Sequence, residues 1–192
     1  GKLRKVERLQ LGTPHGDEVS YYADGTEAER TGYEHGRKHG QWRQWFTDGK
    51  VKAEGRFVNG DPEGVMTWYY TSGRKEIEGS MVKGNREGTW FYWNEDGSIL
   101  IQMLYSAGEL TSSKKENGVF KEYYDDEQLK EEVTWKKGAM NGPFTEWYGN
   151  GTWVNKPMTP TPEGVFAGDV QRELKGQTKK REGSYVNGQL HG

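Results

Sequence analysis

The chain has no cysteine, which removes disulfides, thiolate metal sites and cysteine nucleophiles in one step. It has no run approaching the roughly 18 consecutive apolar residues of a membrane-spanning helix, so no transmembrane segment is predicted. It has no charge excess either. The 27 Lys and Arg against 29 Asp and Glu give a formal net charge of -2, so the basic footprint of a nucleic-acid binder is missing and no nucleic-acid partner is expected. Hydrophobic residues make up only 31% of the 192, too few for a thick layered core. Proline is scarce, and three of the six prolines, Pro157, Pro160 and Pro162, fall in one stretch. What is abundant is glycine, at 28 residues, and aromatic side chains, at 13%. That mixture predicts a thin all-β object in which large flat side chains stack between glycine turns.

The glycines fall on a frame. Openings at Gly16, Gly40, Gly64 and Gly88 are spaced by 24 residues, and further openings follow at Gly118, Gly142 and Gly168. A second glycine lies nine residues on (Gly25, Gly49, Gly73, Gly97, Gly151) and a third lies twenty on (Gly36, Gly60, Gly84, Gly108, Gly138, Gly188). A fixed period of this size marks a repeat array. Between the first and second glycine sits an aromatic run, as in Trp45-Phe46 or Tyr69-Tyr70. Aromatic residues suit a pleated surface, and the Asp24-Gly25, Asp48-Gly49 and Asp96-Gly97 pairs read as two-residue hairpin turns. Each repeat is therefore predicted to be one β-hairpin.

Counting outward from Asp48-Gly49 places Phe46 opposite Val51, Gln44 opposite Ala53 and Trp42 opposite Gly55. A bulky side chain then lies across from a residue with none. The predicted core stripe is Trp42, Met66, Trp90, Phe120 and Phe144, with Tyr33, Phe57, Met81, Tyr105, Trp135 and Tyr185. By the same parity Tyr21, Trp45, Tyr69, Trp93, Tyr123 and Trp147 point to the opposite face and form an aromatic ladder. A one-residue bulge would reverse that assignment. These six rings are the candidate binding residues, as a track for a glycan or cell-wall polymer or for a partner protein.

The fold expected is all-β: an elongated antiparallel meander of 24-residue β-hairpin repeats, a single twisted sheet and an open repeat array over residues 1–192. Regular hairpins are expected in 16–108 and 118–151, irregular loops at 109–117 and 152–163, and a degenerate closing repeat at 168–191. The polar stretch 109–117 is predicted to be an exposed loop, and the prolines after Thr152 to interrupt the sheet or leave it an edge there. The chain begins with Gly1 rather than Met, and Gly192 falls where another repeat would open, which predicts a mature or trimmed fragment.

Candidate chemistry is thin. His15, His39 and His191 share one repeat position, just before an opening glycine, which Glu63, Glu87 and Asn141 occupy elsewhere. Residues related by one repeat lie ~10 Å apart, too far to share a metal with ~2 Å bonds. The carboxylates Asp125-Asp126-Glu127 and Glu131-Glu132 sit on a predicted turn and strand, and Glu54, Glu78, Glu132 and Glu182 recur in the frame as cross-strand ion-pair partners. No phosphate cradle or nucleophile elbow is present. The expectation is no catalytic residue, no metal, no cofactor and no enzymatic activity.

The text Tyr33-Glu34-His35-Gly36-Arg37-Lys38-His39-Gly40-Gln41-Trp42, continued by Trp45-Phe46-Thr47-Asp48-Gly49-Lys50, resembles the variant MORN repeat of bacterial proteins, often labelled antitoxin-like. The likeness covers residues 6–151 and part of 164–192. It implies a meandering sheet of hairpins acting as a scaffold or interaction module, with another protein as partner. Bacterial proteins of this repeat type are often exported, so the resemblance implies the cell envelope or secretion. The stretch from Trp90 to Ser98 is also similar to repeats of choline-binding and glucan-binding cell-wall modules, whose shorter period this chain does not share.

Overall fold

The computed structural model describes residues 4–6, 8–156 and 172–191. The chain divides into two compact units, Gly1–Glu116 and Asn117–Gly192, where the repeat spacing predicts one array. Among the described residues every strand pairing is antiparallel, and no helix is long and apolar enough to cross a membrane.

The first unit contains β1 (Arg4–Val6), β2 (Leu9–Gln10), β3 (Thr13–Pro14), β4 (Gly16–Tyr21), β5 (Glu27–Glu34), β6 (Arg37–Trp45) and β7 (Val51–Val58). It continues through β8 (Asp61–Pro62), β9 (Gly64–Tyr69), β10 (Lys75–Val82), β11 (Asn85–Trp93), β12 (Ile99–Ser106) and β13 (Glu109–Lys115). All but β2 and β3 join one 11-stranded sheet in sequence order, with β8 paired to β7. The second unit contains β14 (Gly118–Tyr123), β15 (Leu129–Lys136), β16 (Ala139–Trp147), β17 (Thr152–Asn155), β18 (Arg172–Lys175), β19 (Lys179–Val186) and β20 (Gln189–His191). Its main sheet runs β14-β15-β16-β19-β20, and β17 and β18 form a separate ribbon. The hairpin meander is as predicted; the single sheet is replaced by several.

Two departures explain the division. Residues 109–115 are a strand and not a loop: β13 pairs with β12 from Glu109–Ser106 to Lys115–Ile101. It fills the slot in which β6, β9 and β11 follow their turns, but brings Thr-Ser-Ser-Lys-Lys in place of an opening glycine and aromatics. Six extra residues thus end the first sheet with a polar, lysine-bearing strand, a composition that discourages further pairing. Its side chains are exposed from Glu109 to Lys114.

The second departure lies after Trp147. Instead of an interruption, β16 pairs with β19, with Phe144 opposite Gly183 and Trp147 opposite Lys179. The Tyr148 N–H donates to the Thr178 carbonyl at 3.0 Å, as Phe46 N–H does to Lys50 at 2.8 Å. The segment 149–177 therefore stands where other repeats have a three-residue loop. The strand 179–186 completes the repeat opened at Gly142, and the predicted opening at Gly168 lies outside the described residues, as do 157–163.

The turns invert the expected assignment. Phe46 and Lys50 close a three-residue loop in which only Gly49 has positive φ, +81°; Asp48 acts through its side chain, accepting from Lys50 N–H at 3.0 Å. The two-residue turns with positive φ at both positions are instead Leu11-Gly12, His35-Gly36, Asn59-Gly60, Lys83-Gly84, Ala107-Gly108, Lys137-Gly138 and Asn187-Gly188. Accordingly Trp45, not Phe46, faces Val51, and an irregularity between Gln44 and Trp45 restores the predicted Gln44–Ala53 and Trp42–Gly55 pairs. Its extra residue lies in the return strand, so Trp45 stays on the face opposite Trp42.

The core is a row of rings laid over glycines. Trp42, Met66, Trp90, Tyr105 and Phe144 of the predicted stripe are buried, and its other members are half-buried. A methyl group on Gly79 would lie 2.1 Å from Trp90, and one on Gly55 would lie 2.1 Å from the Met66 sulfur. Trp90 is 1% exposed. The flat ring resting on bare backbone lets a thin sheet bury a side chain that would otherwise need a second layer.

Candidate functional site

Each repeat holds its neighbours through fixed side-chain ties. In four repeats the residue before the opening glycine accepts a hydrogen bond from the turn one repeat on. Glu63 takes the Lys83 amide at 2.7 Å, Glu87 takes Ala107 at 2.8 Å, Asn117 takes Lys137 at 3.0 Å, and His39 Nδ1 takes Asn59 at 3.5 Å. At these four positions the side chain serves as an acceptor, a role that His, Glu and Asn all fill; Asn141 instead donates from Nδ2 to the Asn187 Oδ1 at 3.4 Å. Among the described residues no group of three His, Cys, Asp or Glu converges for a metal ion.

A second tie runs through the residue after each tyrosine of the ladder. The hydroxyls of Tyr22, Tyr70 and Tyr124 donate to the backbone carbonyls of Trp45, Trp93 and Trp147 at 2.6, 2.6 and 2.8 Å. Phe46 and Asn94 hold the position in the intervening repeats. Repeats are thereby coupled in pairs, a Tyr repeat to the Trp repeat that follows.

Tyr21, Trp45, Tyr69, Trp93 and Trp147 are half-buried, and Tyr123 is 57% exposed. The rungs have different surroundings. The Tyr69 hydroxyl donates to Glu54 at 2.7 Å, and burial together with that carboxylate pushes its phenol up to about 12. Trp93 stacks on Phe91 at 5.7 Å with Lys75 Nζ 5.9 Å from its ring. Trp45 borders a groove of about 460 Å³ that also involves Asp17, Arg30, Tyr33 and Arg43. Within it Arg30 pairs with Asp17 at 3.1 Å and Glu27 at 2.5 Å, and Arg43 pairs with Glu54 at 2.6 Å. Val65, Val82 and Leu104 lie exposed on this same face.

The perturbed carboxylates are accounted for inside the sheet. Burial works against the Glu29 charge, but hydrogen bonds from Gln44, the Trp42 indole and Thr31, each at 3.0 Å, outweigh it and hold the carboxyl below its usual range. Glu54 is lowered by the Tyr69 hydroxyl first and by Arg43. These groups brace strands.

Sequence reasoning passed over Lys38 and Arg86, which lie on the core face. Lys38 Nζ sits 5.1 Å from the Phe57 centroid, and the Arg86 guanidinium sits 4.5 Å from Trp90 and 5.1 Å from Tyr105. The only signal available was positional, since both stand two residues before an opening glycine that leads to a tryptophan.

Three stretches of the chain, residues 38–59, 86–107 and 116–137, match the family model described as MORN repeat variant. No curated protein matches. Among solved structures, the chain is similar to a S. aureus TarM mutant in complex with Fondaparinux, alpha-GlcNAc-glycerol and UDP, at 11% identity and TM-score 0.27, over 58% of this chain and 19% of that one. It is also similar to another TarM structure, at 10% identity and TM-score 0.27, over 71% of this chain and 21% of that one. The chain thus spans about a fifth of the length of those structures.

Proposed function

We propose that the chain, three stretches of which (38–59, 86–107 and 116–137) match the MORN repeat variant model, is a non-enzymatic scaffold that binds another protein. The observation that carries this reading is the use to which its polar groups are put. Glu29, Glu54, Glu63, Glu87 and Tyr69 are each committed to a neighbouring strand or turn, which builds a stiff surface instead of a convergent reactive centre. A stiff surface with half-exposed rings and exposed aliphatics suits protein contact. The glycan-track alternative draws no support from the ladder, because its rungs differ in partner and burial.

The test is to place a photo-crosslinker at Val65, identify the protein joined to it, and titrate that purified protein against the whole chain. Saturable binding at one ratio, weakened when Trp45 and Trp93 are changed to Ala, is the expected result. Adducts scattered over many proteins, none of which binds saturably when purified, would sink the scaffold reading.

A further inference from the structure

On the core face of the first unit two cations stand over rings instead of beside carboxylates. Lys38 lies over Phe57 and Arg86 lies over Tyr105, and in both cases the ring follows the cation by nineteen residues. The two cations are themselves two repeats apart. Among the described residues neither has a carboxylate within ion-pair distance, whereas Arg30, Arg43 and Arg181 each do. Glu29, which feels the Lys38 charge, already spends its oxygens on Trp42, Thr31 and Gln44.

Arg86 is also aimed. Its Nη1 donates to the Tyr105 hydroxyl at 2.8 Å and to the Tyr92 hydroxyl at 3.2 Å, which uses both hydrogens of that nitrogen. Nε–H and the Nη2 amino group remain. Together they make the side-on fork that matches the two oxygens of a carboxylate. Because the hydroxyls and the Trp90 face fix the guanidinium beforehand, little side-chain freedom is left to lose on binding. The residue itself is exposed.

Spacing completes the argument. From β6 to β11 the sheet takes four strand steps, through β7, β9 and β10, about 19 Å at ~4.8 Å each. An extended peptide covers that distance in roughly six residues at ~3.3 Å each. We propose that this face docks an extended acidic segment of the partner protein, running across the strands, with one carboxylate on Arg86 and a second about six residues away on Lys38. The inference rests on the scaffold reading, adds the core face as a second contact surface beside the face that carries Val65, and names the partner's chemistry there.

The experiment is fluorescence anisotropy of a labelled, C-terminally amidated octaglutamate with the whole chain at low salt. Saturable binding is expected, weakened about tenfold by Arg86→Gln, as loss of a charge-assisted fork implies. Lys38→Gln should weaken it several-fold, Arg43→Gln should leave it unchanged, and tetraglutamate, too short to reach both cations, should bind less well. Arg86→Lys keeps the charge and loses the fork, so it should also weaken binding in a chain whose melting is checked to be normal. No binding of octaglutamate, or equal binding by Arg86→Gln, overturns the proposal. So does displacement of the peptide by inorganic phosphate at comparable concentration, which would make this a phosphate receptor. If a crosslinked partner binds saturably and Arg86→Gln does not affect it, the acidic-segment inference fails while the scaffold reading stands.

Discussion

The two units use one backbone frame to carry opposite chemistry. In the first, the cross-strand row through β7 to β12 reads Ala53, Trp68, Ile77, Tyr92, Ile101, each opposite the next. In the second, the row at the same register reads Glu122, Glu131, Glu146, Arg181. Both sheets are meanders of antiparallel hairpins on the same frame. The frame is therefore set one step along the strands, where Trp42 faces Gly55 and Met66 faces Gly79 in one unit, and Phe144 faces Gly183 in the other. Rows beside that stripe are at liberty to be apolar or charged, and it is there that the surfaces diverge.

If the ring-on-glycine stripe sets the frame, damaging it should cost more than any change in the neighbouring row. A methyl group at Gly79 would fall 2.1 to 2.4 Å from three atoms of the Trp90 ring, and the ring has no exposed side to move toward. Gly79→Ala is expected to lower stability by roughly 3 kcal/mol or more, at the upper end of overpacking costs. Urea unfolding of the whole chain checks this, followed by tryptophan emission in a background where Trp135, Trp147 and Trp153 of the second unit are replaced by Phe. A control at Gly73, where a methyl group meets nothing but φ is +86°, isolates backbone strain at about 1 to 2 kcal/mol. Equal losses at the two glycines would show that the stripe is no more critical than a turn.

The turns give the second contrast. All four three-residue loops in the first unit place glycine at the positive-φ position: Gly25, Gly49, Gly73 and Gly97. In the second unit that position is Glu127, at φ +67°, although the loop is closed by the same bonds, Tyr124 N–H to Gln128 at 2.9 Å and Glu127 N–H to Tyr124 at 2.9 Å. Its carboxylate meets Arg172 only at 3.7 Å in an exposed pair, which contributes little. Glu127→Gly is expected to stabilise the second unit by about 1 kcal/mol, read as a raised midpoint in urea. A lowered midpoint would mean that the Arg172 contact outweighs the backbone strain.

These cases also show how much the sequence discloses. The period, the hairpins, the Trp42–Gly55 register and the core stripe are legible, because each is repeated and because bulk facing absence leaves a plain pattern. Turn type is not legible: Asp-Gly invites a two-residue reading, while Asp48 works through its side chain, and Leu11, Lys83 and Ala107 take positive φ without any propensity for it. The strand 109–115 is hidden because nothing in Thr-Ser-Ser-Lys-Lys has the alternation of a buried strand; pairing to β12 alone makes it one. The closing strand was misassigned because residues 149–177 separate it from Trp147, its partner. At the candidate site the ladder can be listed by parity, yet the Tyr69–Glu54 bond and the seating of Arg86 on two hydroxyls depend on side-chain reach, which a one-dimensional frame does not encode.

The smallest effect concerns the acidic row itself. Glu131 lies directly between Glu122 and Glu146, and like charges directly opposite on a sheet repel by roughly 0.2 to 1 kcal/mol. Glu146 is offset by Arg181, with a bond from Nε at 2.7 Å, and by Lys180 at 3.6 Å, whereas Glu131 meets Arg181 through charge alone, so more of the repulsion falls on Glu131. Glu131→Gln keeps the shape and removes the charge, and should raise the stability of the second unit by several tenths of a kcal/mol at low salt. The gain should fade as ionic strength rises and the screening length falls below ~10 Å. The corresponding row of the first unit, having no such charges, should show no salt dependence of this origin. A loss of stability in Glu131→Gln would mean that Lys130 and Lys180, which border the same groove, hold the carboxylate more strongly than its neighbours repel it, and the row would then be a bound charge network and not a strained one.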